Sequence, residues 1–130
     1  MSENRVPVKT GTILVVDDSA ATRRLIQETL QLAGFDVVLA VDGRNALQTL
    51  EAHPEIGLMI ADVFMPIMNG LTLVSLVRDS NKTIPIIAIS SMSNPDLKQR
   101  MLDMGVTSWV SKPLHPVKLL EIVKESMKNG

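Results

Sequence analysis

The chain has 130 residues, a formal net charge of -1 and no cysteine, which is the size of one domain that buries its core without disulfides or a cysteine-ligated metal. Hydrophobic residues make up 45% and aromatic residues only 2%, so that core must be aliphatic and methionine-rich. Charges of both signs are scattered, which gives neither the basic face of a nucleic-acid binder nor a polybasic membrane patch, and no apolar run approaches the ~20 residues of a membrane span. A soluble, cytoplasmic protein is expected.

Residues 1–10 read as a flexible N-terminal arm and 11–130 as the folded domain, with Pro7 and Gly11 as breakers. Thr12 to Val16 is a β-branched run that stops at Asp17-Asp18, and Ser19 suits the cap of the helix that follows. From Ala20 to Ala33 the apolar residues Leu25, Ile26, Leu30 and Ala33 recur at helical spacing, and Gly34 closes the helix. Phe35 to Ala40 is the second strand, and Asp42-Gly43 opens a short helix that ends before Pro54.

Gly57 to Ala61 is an almost wholly apolar run of strand length ending at Asp62, the pattern of a strand buried on both faces that emerges at an edge of its sheet. Pro66 cannot continue a ladder, so a loop is expected before a third helix over Gly70–Arg78. Ile84 to Ile89 is the fourth strand, interrupted by Pro85 near its start. Asn94-Pro95 marks a helix running to Gly105, Trp109-Val110 a short fifth strand, and Pro116 a final helix.

Five strand-then-helix units predict one α/β domain, doubly wound around a mainly parallel five-stranded sheet in the order 2-1-3-4-5. In that order strands one and three are neighbours at the point where ligands sit, beyond the carboxyl ends of the strands. Asp17 and Asp18 follow strand one and Asp62 ends strand three. Three carboxylates are thereby expected in one crevice.

Carboxylates so placed repel, and oxygen-only donors select a hard divalent cation, Mg2+ above all because it needs only one or two protein carboxylates. A carboxylate beside such an ion is equipped to attack phosphorus and carry an acyl phosphate. Ser90 at the end of strand four and Lys112 after strand five emerge at the same edge, supplying a hydroxyl and a second cation for phosphoryl oxygens. Because Lys112 precedes Pro113, a cis peptide is tolerated there.

With Met65-Pro66, Gly70 and Lys112-Pro113 added to the acidic pair, Asp62 and Ser90, the chain from Gly11 onward resembles the receiver domain of two-component response regulators, the chemotaxis-regulator-like variant of the flavodoxin-like fold. The resemblance implies that Asp62 is the phosphoacceptor, loaded by a histidine kinase or phosphotransfer protein. It further implies that Asp17 or Asp18, Asp62 and the backbone carbonyl of Phe64 hold Mg2+, that Lys112 pairs with the phosphoryl group and that Ser90 hydrogen-bonds it. By the same likeness Ser90 couples to an aromatic on strand five, here Trp109, and the face made by the fourth helix, fifth strand and last helix binds a downstream protein, with the chain a monomer or a phosphorylation-dependent dimer.

Phe64 and Met92 occupy the two places that in this family flank the path of the hydrolytic water, and both are apolar, so slow loss of phosphate is expected. Asn69 stands where an aspartate is common, a harmless exchange in a turn.

A signalling switch acting alone is the expectation, with a receiver excised from a hybrid kinase or transcription factor as the alternative. An aspartyl-phosphate phosphatase of the haloacid-dehalogenase type wants a second acid two residues after the nucleophile, where Phe64 stands. A flavin binder wants a phosphate loop in place of Asp17-Asp18, and no GxGxxG or Walker loop occurs.

Overall fold

The structure, a computed structural model, describes residues 11–129 apart from Pro66, Asn81 and Ser93. The arm assigned to residues 1–10 and the proline of the Met65-Pro66 pair lie outside the described residues. Strands β1 (Thr12–Val16), β2 (Asp36–Ala40), β3 (Ile56–Asp62), β4 (Ile86–Ser90) and β5 (Ser108–Ser111) alternate with helices α1 (Ala20–Leu32), α2 (Gly43–Ala52), α3 (Gly70–Asp79), α4 (Pro95–Asp103) and α5 (Pro116–Asn129). All pairings are parallel and the order is β2-β1-β3-β4-β5, the doubly wound arrangement expected.

The sheet separates two aliphatic layers. Side chains alternate across each strand, so Leu14, Met59, Ala61 and Ala88 face α2, α3 and α4, while Ile13, Ile60, Ile87 and Ile89 face α1 and α5. The central strands are buried on both sides, which is why they read as unbroken apolar runs. Every one of those residues is at most 2% exposed.

Helix starts follow side-chain chemistry that the sequence displays. Ser19, Asp42, Asn69 and Asn94 each accept from a backbone N–H of the first turn of α1, α2, α3 and α4, satisfying donors that a helix leaves open. The fourth strand starts two residues later than Ile84, because Pro85 has no N–H to give. Its carbonyl still accepts from Met59 N–H at 3.0 Å.

At the opposite end of the sheet Arg78 ties three elements together. Its guanidinium donates to the carbonyls of Lys82 (2.8 Å) and Gly105 (2.7 Å), pinning the turn after α4 to the end of α3. No helix among the described residues is long and apolar enough to cross a membrane.

Candidate functional site

Because all five strands run the same way, every strand-end side chain arrives at one edge. Asp17 lies one residue past β1, Asp62 is the last residue of β3, Ser90 the last of β4, and Lys112 follows β5. Asp17 is fully buried and Asp62 is 5% exposed, whereas Asp18 is exposed at the rim. Each of the three acids offers a carboxylate oxygen within 4.8 Å of the other two.

Lys112 reaches into this group from the side. Its Nζ lies 3.3 Å from Asp62 Oδ2, to which it donates a hydrogen bond, and 3.2 Å from Asp17 Oδ2. The second contact has the distance of an ion pair without hydrogen-bond alignment, so Asp17 Oδ2 is a buried carboxylate oxygen that no hydrogen bond satisfies. The Lys112–Pro113 peptide is cis.

The remaining oxygens are held by backbone. Ser19 N–H donates to Asp17 Oδ1 (2.8 Å) and Phe64 N–H to Asp62 Oδ1 (3.2 Å). Both bonds span two residues and fix each carboxylate against the loop that leaves its own strand.

These surroundings set the charges. Burial pushes the Asp62 carboxyl above its ordinary range and the neighbouring Asp17 charge adds to that, while the Phe64 N–H and Lys112 oppose it. Burial by itself lowers the Lys112 ammonium, yet the charges of Asp17 and Asp62 outweigh it and its pKa lies above the ordinary lysine value. One ammonium thus offsets part of a charge carried by three acids.

An unsatisfied buried oxygen, hard donors only and a surplus of negative charge fit a divalent cation of the Mg2+ type. The donor set holds no soft ligand.

Two expected members sit differently from the acids and Lys112. The Ser90 hydroxyl, fully buried, is engaged with its own loop: it donates to Met92 O at 3.2 Å and accepts from Met92 N–H at 3.1 Å. Trp109 pairs with Ala88 across β4 and β5, is half-buried, and packs on the α2/α3/α4 layer. Since Ser90 is two residues beyond Ala88, Ser90 and Trp109 stand diagonally on the same sheet face. Phe64 and Met92 are 44% and 53% exposed, on the neighbouring loops after β3 and β4.

Sequence reasoning missed two supports of the site. Arg23 Nη1 donates to the backbone carbonyl of Asp17 at 2.7 Å; an arginine on the first turns of an amphipathic helix reads as surface charge. Gly70 lets α3 begin against the end of β3: its N–H donates to Val63 O at 2.8 Å, and a Cβ there would stand 2.7 Å from Asp62 O. Gly70 is one of the residues that carry the family resemblance, but its close approach to the end of β3 leaves no mark in the sequence.

A family profile described as response regulator receiver domain matches residues 13–124. Chemotaxis protein CheY1 of Helicobacter pylori (strain J99) is 39% identical over 119 residues, which are 89% of this chain and 93% of CheY1. Sensor histidine kinase RcsC of Escherichia coli (strain K12) is 35% identical over 115 residues, 88% of this chain but 12% of that kinase. Among solved structures, Vibrio cholerae chemotaxis protein CheY4 is similar with a TM-score of 0.86 and 35% identity, over 91% of this chain and 99% of CheY4.

Proposed function

The chain belongs to the receiver-domain family of two-component response regulators, and we propose that it accepts a phosphoryl group on Asp62 from a phosphohistidine of a histidine kinase or phosphotransfer protein. The observation that carries this reading is the single strand-end cluster of Asp17, Asp18 and Asp62 with Lys112 Nζ set between Asp17 and Asp62. Asp62 forms the new O–P bond as the N–P bond of the donor breaks, and the bonding pair stays on the imidazole, which takes up a proton. Lys112 and the Phe64 N–H favour the ionised carboxylate needed for attack, against the burial that favours its acid form.

Asp17, Asp18, Asp62 and the Phe64 carbonyl are the groups that would hold Mg2+. Bound there, the ion supplies the positive charge that phosphoryl oxygens require. Lys112 then pairs with a phosphoryl oxygen as well as with its present partners.

The switch follows from where the new charge lands. A phosphoryl group brings strong acceptors to the sheet edge, and the Ser90 hydroxyl can serve them only by leaving the Met92 backbone. That exchange moves the β4–α4 loop beside Trp109, so phosphorylation is read out by a partner protein on the face of α4, β5 and α5. The RcsC likeness supports a second arrangement, in which such a receiver works as one segment of a larger kinase.

Trp109 is the only tryptophan, so the switch has a built-in reporter. Addition of acetyl phosphate with Mg2+ is expected to change its fluorescence in the native protein and to leave it unchanged in Asp62→Ala. An equal response in the two proteins contradicts the reading.

Phe64 and Met92 have no group that orients an attacking water, so the acyl phosphate is expected to persist. Phe64→Asn combined with Met92→Glu should shorten its lifetime about tenfold, less than the ~100-fold or more of a fully positioned general base because these exposed side chains only orient the water. The phosphoprotein half-life after removal of the donor measures this, and equal half-lives refute it.

A further inference from the structure

Asp18 is the one acid of the cluster that has no hydrogen bond or ion pair of its own among the described residues, and its side chain is exposed. Its position is therefore set by the backbone that carries it. The peptide joining Asp17 to Asp18 is held on its carbonyl side by Arg23, whose Nη1 donates at 2.7 Å. Upstream, Asp17 N–H donates to Ala40 O at 3.3 Å, and downstream Ser19 N–H donates to Asp17 Oδ1 at 2.8 Å. Without the guanidinium, the carbonyl loses the contact that fixes this peptide plane, and rotation of the plane carries the Asp18 carboxylate with it.

We infer that Arg23 is a positioning residue for the cation site, locking the Asp17–Asp18 peptide from the first turns of α1 so that both carboxylates face one ion. The inference rests on the Mg2+ reading above. Its consequence is opposite in sign to simple electrostatics. A cation next to a cation site repels Mg2+, so an Arg23 acting through charge alone would weaken binding and its removal would strengthen it. An Arg23 that positions the acids must strengthen binding, and its removal must weaken it. A side chain that only packs α1 would change stability and leave the affinity where it was.

The test is an Mg2+ titration of the unphosphorylated protein, following the backbone amide NMR signals of Asp18 and Ser19, with thermal unfolding recorded in parallel. Arg23→Met keeps the aliphatic stem that covers α1 and removes the donor. It is expected to weaken Mg2+ binding about tenfold, as loss of a support behind a metal ligand commonly does. Arg23→Lys should recover part of that loss, because an ammonium can still donate to the carbonyl. Arg24→Ala removes the same charge from an exposed neighbour and should leave the affinity within about twofold.

Equal or tighter binding by Arg23→Met, with a saturable response in the native protein, overturns the inference alone. A native protein whose Asp18 and Ser19 signals do not respond to Mg2+ overturns the metal reading and this inference together. If Arg23→Met does not fold, Arg23→Gln takes its place and is held to the same tenfold loss.

Discussion

Lys112→Ala is expected to lower stability by about 2 kcal/mol at neutral pH and to regain most of it on acidification. This loss is smaller than the ~3–5 kcal/mol typical of a broken buried pair, because the Lys112 side chain is 21% exposed and water can reach the vacated place. The pH dependence follows from both partners. Lys112 has a folded-state pKa above its ordinary 10.5, so its stabilising effect is complete below that value and disappears only as the pH climbs through the higher folded one.

Asp62 behaves in the opposite sense. Its carboxyl already sits above its ordinary 3.8 because burial and the Asp17 charge disfavour ionisation. The native state therefore binds this proton more tightly than the unfolded chain, and stability falls as the pH rises from 3.8 toward the folded value. Removing Lys112 deletes one of the two contacts that restrain this shift. The deficit of the alanine variant should be greatest near pH ~7, shrink toward pH ~4 as Asp62 takes up its proton, and be partly recovered at neutral pH by millimolar Mg2+. Thermal melts at the two pH values, with and without Mg2+, measure all of this. A deficit that is constant with pH would mean that Lys112 acts through packing and not through charge.

The second large effect is steric. Gly70→Ala would place a methyl group 2.7 Å from Asp62 O and 2.8 Å from Val63 Cα, both backbone atoms at the end of β3, where the proposed phosphoacceptor stands. No side chain can swing aside, so either α3 or the end of β3 must shift. Overpacking of this kind costs about 1–3 kcal/mol, more than the ~1 kcal/mol by which alanine is ordinarily favoured over glycine in a helix. The expected result is a net loss of about 1 kcal/mol, together with impaired phosphorylation because Asp62 moves. Gly57→Ala is the control, since its Cβ would meet only Met127 Cε at an ordinary 3.8 Å. It should be neutral or slightly stabilising, and equal losses at the two glycines would contradict the account of Gly70.

Why the acids were legible in advance and their supports were not has a physical reason. Parallel strands deliver their last residues to one edge whatever the loops do, so Asp17, Asp62, Ser90 and Lys112 could be brought together from chain order alone. Helix starts at Ser19, Asp42 and Asn94 were legible for a similar reason, because a cap acts within three residues of itself. Ser90 shows the limit: its place at the edge was foreseeable, but its hydroxyl is committed to Met92, a choice made by the path of the loop. Pro85 reads as the second residue of a strand because its neighbours are aliphatic, while the ladder begins one residue after it. Gly70 and Arg23 were opaque because each acts on a backbone carbonyl distant in sequence or turned by the loop, and a carbonyl leaves no trace in residue identity.

Asp62 is, as proposed, the phosphoacceptor of a cation-dependent site, and intact mass after incubation with acetyl phosphate checks this most directly. One phosphate adduct is expected on the native protein in Mg2+, with none when the metal is chelated and none on Asp62→Ala under either condition. An adduct of equal yield on Asp62→Ala, or no adduct on the folded native protein in Mg2+, would contradict it.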